Sequence, residues 1–381
     1  MASIKKNPNG TYTVRWRATP GAKVRQPQQT FARRTDAERF ARHIETAKDR
    51  GEYIDPAAAK TNLAQWLTHW HRSRLNLRPS TATRDETYLR RYLIEPLGHH
   101  TLGTLQPHHI RSWVADMATR YAPATVRKAH QLLKAALQTA VDDRMIPTNP
   151  ATNTPLPAID DPTHRYLTLD QVHHLATSIH PRWKAFVYTG ALAGLRPGEL
   201  CALRTTNLNL KDQRLTVTHT ATEHRGHITY GPPKTKAALR TISIGTQLTD
   251  ILRTHLHDHG TNVIDLTAPP LVFTAPEGGP LRRSTFRRRQ WADAVNRSVG
   301  PPMRIHDLRH TAAALAISQG VHPKVLQERL GHRDIATTLD VYGGLFHGYD
   351  EGIAEALDTA FLATMRDDSA ATSRPTRPSR P

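Results

Sequence analysis

The sequence predicts a mainly α-helical protein with small β-sheets, built in three folded parts. Three observations carry this. Apolar residues recur at the helical spacing of three and four through most of the chain. Period-two alternation is confined to short runs near residues 11–31 and 226–244. Prolines crowd residues 147–162, where Pro147, Pro150, Pro155, Pro157 and Pro162 end one helical stretch before another begins. The expected plan is an N-terminal three-stranded sheet plus helix over 1–57, a helical domain over 58–146, a linker over 147–162, a mixed α+β domain over 163–365 and a disordered tail over 366–381.

The first part opens with a strand from Thr11 to Ala18, with Asn9-Gly10 and Pro20-Gly21 as turns at its ends. Alternation puts Tyr12, Val14 and Trp16 on one face and Thr13, Arg15 and Arg17 on the other. A second strand runs from Lys23 to Phe31. Thr35 with Glu38 three residues on reads as a capping box that opens a helix to about Lys48. Residues 1–34 hold eight basic residues and no acidic one. The outer face of this sheet is therefore basic, suited to a DNA groove through Arg15, Arg17, Lys23 and Arg25, or else simply solvated.

Four helices follow. Leu63, Trp66, Leu67 and Trp70 make one buried stripe. Ser80 is placed to cap the next helix, to about Leu93. Pro107 opens the third, with Ile110, Trp113, Val114 and Met117 inward. The fourth spans about Ala124 to Asp143. The period of these tryptophans matches burial rather than base stacking.

Lys plus Arg number 52 against 33 Asp plus Glu, a formal net charge of +19. Such an excess does nothing for a fold but attracts a polyanion, and nucleic acid is the expected partner. No apolar run reaches the roughly 18 residues a membrane helix needs, so no membrane role is expected. The opening MASIKKNPNG has no apolar stretch behind its basic residues and does not read as a secretory signal. Cys201 is the single cysteine, which excludes an internal disulfide and a CxxC metal site. The reducing cytoplasm, in association with the nucleoid, is the expected compartment.

The mixed domain carries four chemical features. In Ala-Gly-Leu-Arg-Pro-Gly-Glu-Leu (193–200), an amphipathic helix from about Arg182 ends near Gly194, Arg196 follows, and Glu199 opens a new helix. Pro233-Lys234-Thr235-Lys236 lies between strand-like runs at Gly226–Tyr230 and Arg240–Ile244, a hairpin that can swing a lysine into a site or leave it exposed. His306-Asp307-Leu308-Arg309-His310 starts an alanine-rich helix, with His306 and Arg309 on one face. His306 and His310, four apart, also have metal spacing. However, Asp307 stands where a zinc protease has Glu, and no third ligand follows, so no metal is expected. Leu330-Gly331-His332 ends a helix, and Thr337-Thr338-Leu339-Asp340-Val341-Tyr342 closes a short second one. Phosphoryl transfer asks for such a set: guanidinium groups for phosphate oxygens, histidines and lysine for protons, a tyrosine as covalent nucleophile. No acidic cluster is available for magnesium, so cationic side chains have to neutralise the transition state themselves.

The motifs GLRPGEL, PPKTK…RTI, HDLRHTAA and LGH with TTLDVYGGLF resemble the tyrosine recombinase (phage integrase) family in order and spacing across 163–365. The upstream half resembles the family plan of an arm-site-binding sheet and a SAM-like core-binding domain. The resemblance implies a recombinase that cuts and rejoins DNA through a 3′-phosphotyrosine at Tyr342, with no cofactor. It implies Arg196 and Arg309 as the phosphate clamp and Lys234, with Lys236 its rival, as general acid. It further implies His306 as proton acceptor for the tyrosine, His332 as a phosphate hydrogen-bond donor and Glu199 as support. Implied partners are double-stranded DNA attachment sites, a homotetramer assembled on DNA, a DNA-bending protein and a directionality factor. Residues 349–364, with Ile353, Ala356, Leu357, Ala360 and Phe361 in a stripe, are either the helix that docks on the next protomer or part of their own domain. The rival functions are a type IB topoisomerase and a non-catalytic DNA binder of the same fold.

Overall fold

The computed structural model describes residues 2–16, 27–49, 53, 56–159, 165–224, 226–259 and 269–346, together with 354–355, 357–359 and 361–362. Its contacts divide the chain into two compact units, Met1–Asp161 and Pro162–Pro381.

The first unit begins with β1 (Ser3–Lys6), β2 (Tyr12–Arg15) and β3 (Gln28–Phe31), an antiparallel sheet in that order with Tyr12 opposite Phe31. Helix α1 (Arg34–Asp49) closes one face, burying Val14 and Trp16 against Ala37, Ala41 and Ile44. Thr13, expected on the outer face, is buried as well. Asn7 donates to its hydroxyl at 2.8 Å, and Thr30 shares a further hydrogen bond with it at 2.9 Å, so a polar ladder covers it. Arg15 stays exposed beside Gln28, whereas Arg17, Lys23 and Arg25 lie outside the described residues. The capping box does not form. The helix already starts at Arg34, and Glu38 accepts from Arg34 Nε at 2.8 Å instead, an i,i+4 ion pair that competes for the carboxylate.

Next come the helices α2 (Pro56–Ala59), α3 (Leu63–Ser73), α4 (Pro79–Tyr88), α5 (Glu95–Leu97), α6 (Pro107–Arg120) and α7 (Pro123–Asp142), and those from α3 onward form a separate core. The expected stripe is buried, and each indole finds an acceptor: Trp66 on Ala136 O at 2.9 Å, Trp70 on Thr139 Oγ1 at 3.0 Å, Trp113 on Tyr92 O at 2.9 Å. That pairing is what lets tryptophan serve as core. Ser80 is not a cap. Pro79 takes the first helical position behind Arg78, and the helix passes through a π turn at Leu89–Ile94 into α5. The proline-rich segment starts as part of this core, with Ile146 and Ala151 buried in it.

The second unit holds α8 (Leu169–Ser178), α9 (Lys184–Ala193) and α10 (Pro197–Leu200). The capping box of α8 does form, with Thr168 and Gln171 bonding reciprocally. The expectation of an amphipathic α9 is corrected: Ala185, Phe186, Val187, Thr189, Gly190, Ala191 and Ala193 are all buried, as befits a central helix enclosed by its neighbours. Next come β4 (Leu208–Asn209), β5 (Arg214–Val217), β6 (Thr220–His224), β7 (His227–Gly231) and β8 (Arg240–Ser243). The two runs flanking Lys234 do not pair with each other. β7 pairs with β6, and β8 joins β5 in the sheet β4-β5-β8, so Lys234 sits on a crossover between two sheets. The unit continues with α11 (Thr246–His259), α12 (Arg283–Phe286), α13 (Ala292–Arg297), α14 (Asp307–Ile317), α15 (Pro323–Leu330) and α16 (Ile335–Tyr342). Helices α8, α11 and α14 all pack on α9. A smaller core of Ala313, Ile317, Leu326, Leu330 and Tyr342 ties α14, α15 and α16 together. Of the stripe expected within 349–364, Leu357 and Phe361 are exposed on helical backbone. Ile353, Ala356, Ala360 and residues 366–381 lie outside the described residues. Among the described residues no helix is long and apolar enough to cross a membrane.

Candidate active site

Two helix ends build the cradle of the site. Helix α9 stops at Gly194 with φ +70°, and α15 stops at Gly331 with φ +66°. These left-handed backbone conformations are strained for any side chain, and they turn terminal carbonyls away from the helix ladder. Arg309 of α14 takes two of the carbonyls: Nη1 donates to Gly194 O at 2.7 Å and Nη2 to Leu330 O at 2.6 Å. Arg196 Nη2 donates to Gly331 O at 3.2 Å. The negative ends of two helix dipoles thus fix the two guanidinium groups.

Glu199, buried in α10, organises the rest. Its carboxylate accepts the Arg196 backbone N–H at 2.9 Å and Arg196 Nη1 at 2.9 Å. On its other side Arg240 Nη2 donates at 3.0 Å. Burial favours a neutral Glu199, but Arg240 and then Arg196 outweigh it and hold the carboxyl below its usual range. Arg309 is only 2% exposed. Burial first, then the charges of Arg196 and Arg240, bring its pKa down to about 9. Two guanidinium groups share one carboxylate and a third, Arg309, lies within reach of their charges, an excess of positive charge that an anion neutralises.

Tyr342, at the end of α16, is 1% exposed. Its hydroxyl and His310 Nδ1 share a hydrogen bond of 2.9 Å. Burial raises the phenol to about 12 against the opposing pull of Arg309. His306, at the N-terminus of α14, sets its ring edge-on to His310 at 4.9 Å. His332 stacks over Tyr342 with centroids 6.5 Å apart and planes 8° from parallel, and its Nδ1 shares a hydrogen bond of 2.8 Å with Thr338. Desolvation, followed by the charge of Arg309, lowers His306 to about 4 and His332 to about 3.

The structure therefore brings Arg196, Glu199, His306, Arg309, His332 and Tyr342 into one connected cluster. Lys234 and Lys236 are exposed on the loop leading into β8, tied to the cluster through the Ala238 carbonyl, which accepts from Arg240 Nη1 at 3.0 Å. Two members escaped the sequence reading. His310 figured only as half of a metal pair, whereas it is the direct partner of the tyrosine hydroxyl; its place one turn after His306 on the same helix face was the available signal. Arg240 opens the RTI run of the second motif but carries no role in that reading, because its partner Glu199 comes from 41 residues away. Among the described residues no group of three or more His, Cys, Asp or Glu side chains is placed to hold a metal ion.

The neutral histidines have a consequence for stability. A histidine that folding keeps neutral contributes fully above its unfolded pKa of 6.5. Below that value the unfolded chain takes up a proton that the folded chain refuses, so stability falls as pH falls toward the folded pKa. The Tm is expected to drop between about pH 6.5 and pH 5, and less steeply in His332→Gln than in the wild type. Equal slopes in a pair of calorimetric series would count against a neutral, half-buried His332.

A bundle-plus-sheet fold around an arginine-rich anion cradle with an adjoining tyrosine defines a site-specific recombinase of the tyrosine class. The sequence pattern of the phage integrase family matches residues 165–346, and that of the phage integrase N-terminal SAM-like domain matches residues 62–118. The chain belongs to the phage integrase family. It is 27% identical over 305 residues to an integrase of Mycobacterium phage L5, covering 79% of this chain and 80% of that one. To the ICEBs1 integrase of Bacillus subtilis it is 26% identical over 258 residues, covering 64% and 67% of the two chains. Among solved structures, the Tn1549 transposon integrase in complex with transposon right end DNA superposes with a TM-score of 0.68 at 22% identity, over 79% of this chain and all (100%) of that one. A lambda integrase tetramer bound to a Holliday junction gives 0.59 at 16% identity, over 89% and 94%.

Proposed function

We propose that this integrase acts at specific double-stranded DNA attachment sites of a mobile element, through a 3′-phosphotyrosyl link to Tyr342. The observation that carries the reading is the buried charge imbalance. Arg196 and Arg240 bond the single carboxylate of Glu199, and Arg309, held by helix-end carbonyls, lies within electrostatic reach of all three and of Tyr342. A phosphodiester supplies the missing negative charge, and Arg196 and Arg309 take its nonbridging oxygens.

The Tyr342 oxygen attacks phosphorus, the bond from phosphorus to the 5′ oxygen breaks, and the tyrosine becomes esterified to the 3′ phosphate. The phenolic proton passes to a histidine. The family resemblance gives this role to His306, and His310 already holds the hydroxyl. Lys234 protonates the departing 5′ oxygen, and His332 hydrogen-bonds the phosphate. One phosphodiester is exchanged for another, so a 5′ hydroxyl from a partner strand reverses the step without ATP. Exchange between two duplexes calls for four protomers on DNA. The region 1–57, which includes Arg15, Arg17, Lys23 and Arg25, is the proposed arm-site reader, and 58–146 the core-site reader. A DNA-bending protein and a directionality factor complete the proposed assembly, at the nucleoid.

The test uses DNA flanking the protein's own gene, nicked near candidate sites so that cleavage is trapped. A denaturation-resistant adduct is expected, and the peptide that begins at Asp334 should carry the nucleotide on Tyr342 rather than Tyr349. Specific binding without any adduct would favour a non-catalytic binder. Relaxation of plasmid that lacks a site would favour a topoisomerase.

A further inference from the structure

Arg240 makes more contacts than a partner for Glu199 needs. Its side chain is nearly sealed from solvent, with 6% exposed. Nη2 and Nη1 donate to the two Glu199 oxygens at 3.0 and 3.4 Å. Nη1 also donates to Ala238 O at 3.0 Å, and Nε donates to Arg329 O at 2.7 Å. These acceptors belong to three separate pieces of the site. Glu199 fixes Arg196. Ala238 ends the turn that begins at Lys236, two residues after Lys234. Arg329 lies in the last turn of α15, three residues before His332.

The packing agrees with the hydrogen bonds. A Cβ built on Gly331 would stand 2.8 Å from Ala237 O and 3.1 Å from Arg240 Cδ. The lysine-bearing loop therefore rests directly on the end of α15, with the Arg240 stem beside it. A planar guanidinium with donors in a fixed fork can hold three segments at set angles, and a lysine ammonium on a flexible stem cannot.

We propose that Arg240 is a positioning residue for strand cleavage, setting Arg196, His332 and the Lys234–Lys236 loop against one another so that phosphate clamp and general acid meet one phosphate. This rests on the recombinase reading given above. The rival is a charge role alone, in which Arg240 only neutralises buried Glu199. Lysine would satisfy the rival, because it keeps the charge while losing the fork.

The experiment compares the full-length wild type with Arg240→Lys and Arg240→Gln on the trapped-nick DNA, following adduct formation over time, DNA affinity and Tm. A geometric error of about 1 Å costs roughly 100-fold in rate. Arg240→Lys is expected to lose about that much cleavage while keeping wild-type DNA affinity and a Tm above that of Arg240→Gln. With sulfur in place of the leaving 5′ oxygen, which departs without a general acid, Arg240→Lys should recover about tenfold or more of its loss. Cleavage by Arg240→Lys at the wild-type rate would overturn the proposal in favour of the charge role. So would a loss that simply follows unfolding in both variants. Failure of sulfur to recover any rate would remove the lysine loop from it. If the wild type forms no adduct, the recombinase reading itself falls, an outcome distinct from an active wild type with equally active Arg240 variants.

Discussion

Tyr342→Phe is expected to form no covalent adduct with DNA while folding and binding DNA as the wild type does. The ring sits among Ala313, Ile317, Leu326 and Leu330, all buried apolar neighbours, and phenylalanine fills the same space. What disappears is one hydroxyl and its hydrogen bond to His310. Such a bond contributes about 1 kcal/mol net, a shift in Tm of about 2–4 °C for a domain of this size. Removing the nucleophile of a covalent mechanism takes away the whole reaction path, so the adduct should fall by at least about 10⁴-fold. The two rings set against it, those of His310 and His332, carry no alcohol, and Tyr166, which packs on the same small core, is the hydroxyl to check by mapping if an adduct persists. Adduct formation by the Phe variant at the wild-type rate would move the nucleophile elsewhere and end the mechanism. In the structure the hydroxyl is buried and turned to His310, so it has to be uncovered, or met by phosphate in place, before it can attack.

Which parts of this molecule were legible in the sequence follows from how local each determinant is. The stripe Leu63, Trp66, Leu67 and Trp70 is a property of eight consecutive residues, and the structure buries all four. Pro107 at the first position of α6 is equally local. Strand pairing is not. The run at 240 reads as the partner of the run at 226, its neighbour in the chain, but β8 pairs with β5 because the apolar Leu215 and Ile242 face each other over the same core. The N-terminal capping box fails for a smaller reason: an arginine one turn upstream offers Glu38 a better partner than a threonine does. The site follows the same rule. Arg196, Arg309, His332 and Tyr342 stand in motifs whose neighbours announce them. His310 acquires its meaning only when α16 delivers a hydroxyl from 32 residues away, and Arg240 only when α15 delivers a carbonyl from 89 residues away.

Arg309→Lys is expected to lose about 10³-fold in cleavage, the effect of removing a cationic clamp from a developing phosphoryl charge. The reason lies in how the native side chain is held. Two of its nitrogens are committed to the carbonyls of Gly194 and Leu330. The remaining edge of the fork is therefore fixed in direction, aimed by two helix ends rather than by solvent. A lysine ammonium is a single point with rotatable donors, so it cannot bond both carbonyls and present a planar face to phosphate at once. The same argument predicts the effect on the fold. Each carbonyl left without a donor in this buried place costs about 1–3 kcal/mol, and Arg309→Ala leaves both unpaired. The alanine variant should therefore lose several degrees of Tm along with its activity, whereas the lysine variant keeps one carbonyl bonded and loses less. Native Arg309 is a charged group almost sealed from water beside Arg196 and Arg240, so a bound phosphate supplies counter-charge and DNA should raise the Tm of the wild type more than that of either variant. Thermal unfolding with and without attachment-site DNA measures that difference. An equal rise in all three proteins would show that Arg309 does not face the phosphate, and the clamp would then reduce to Arg196 alone.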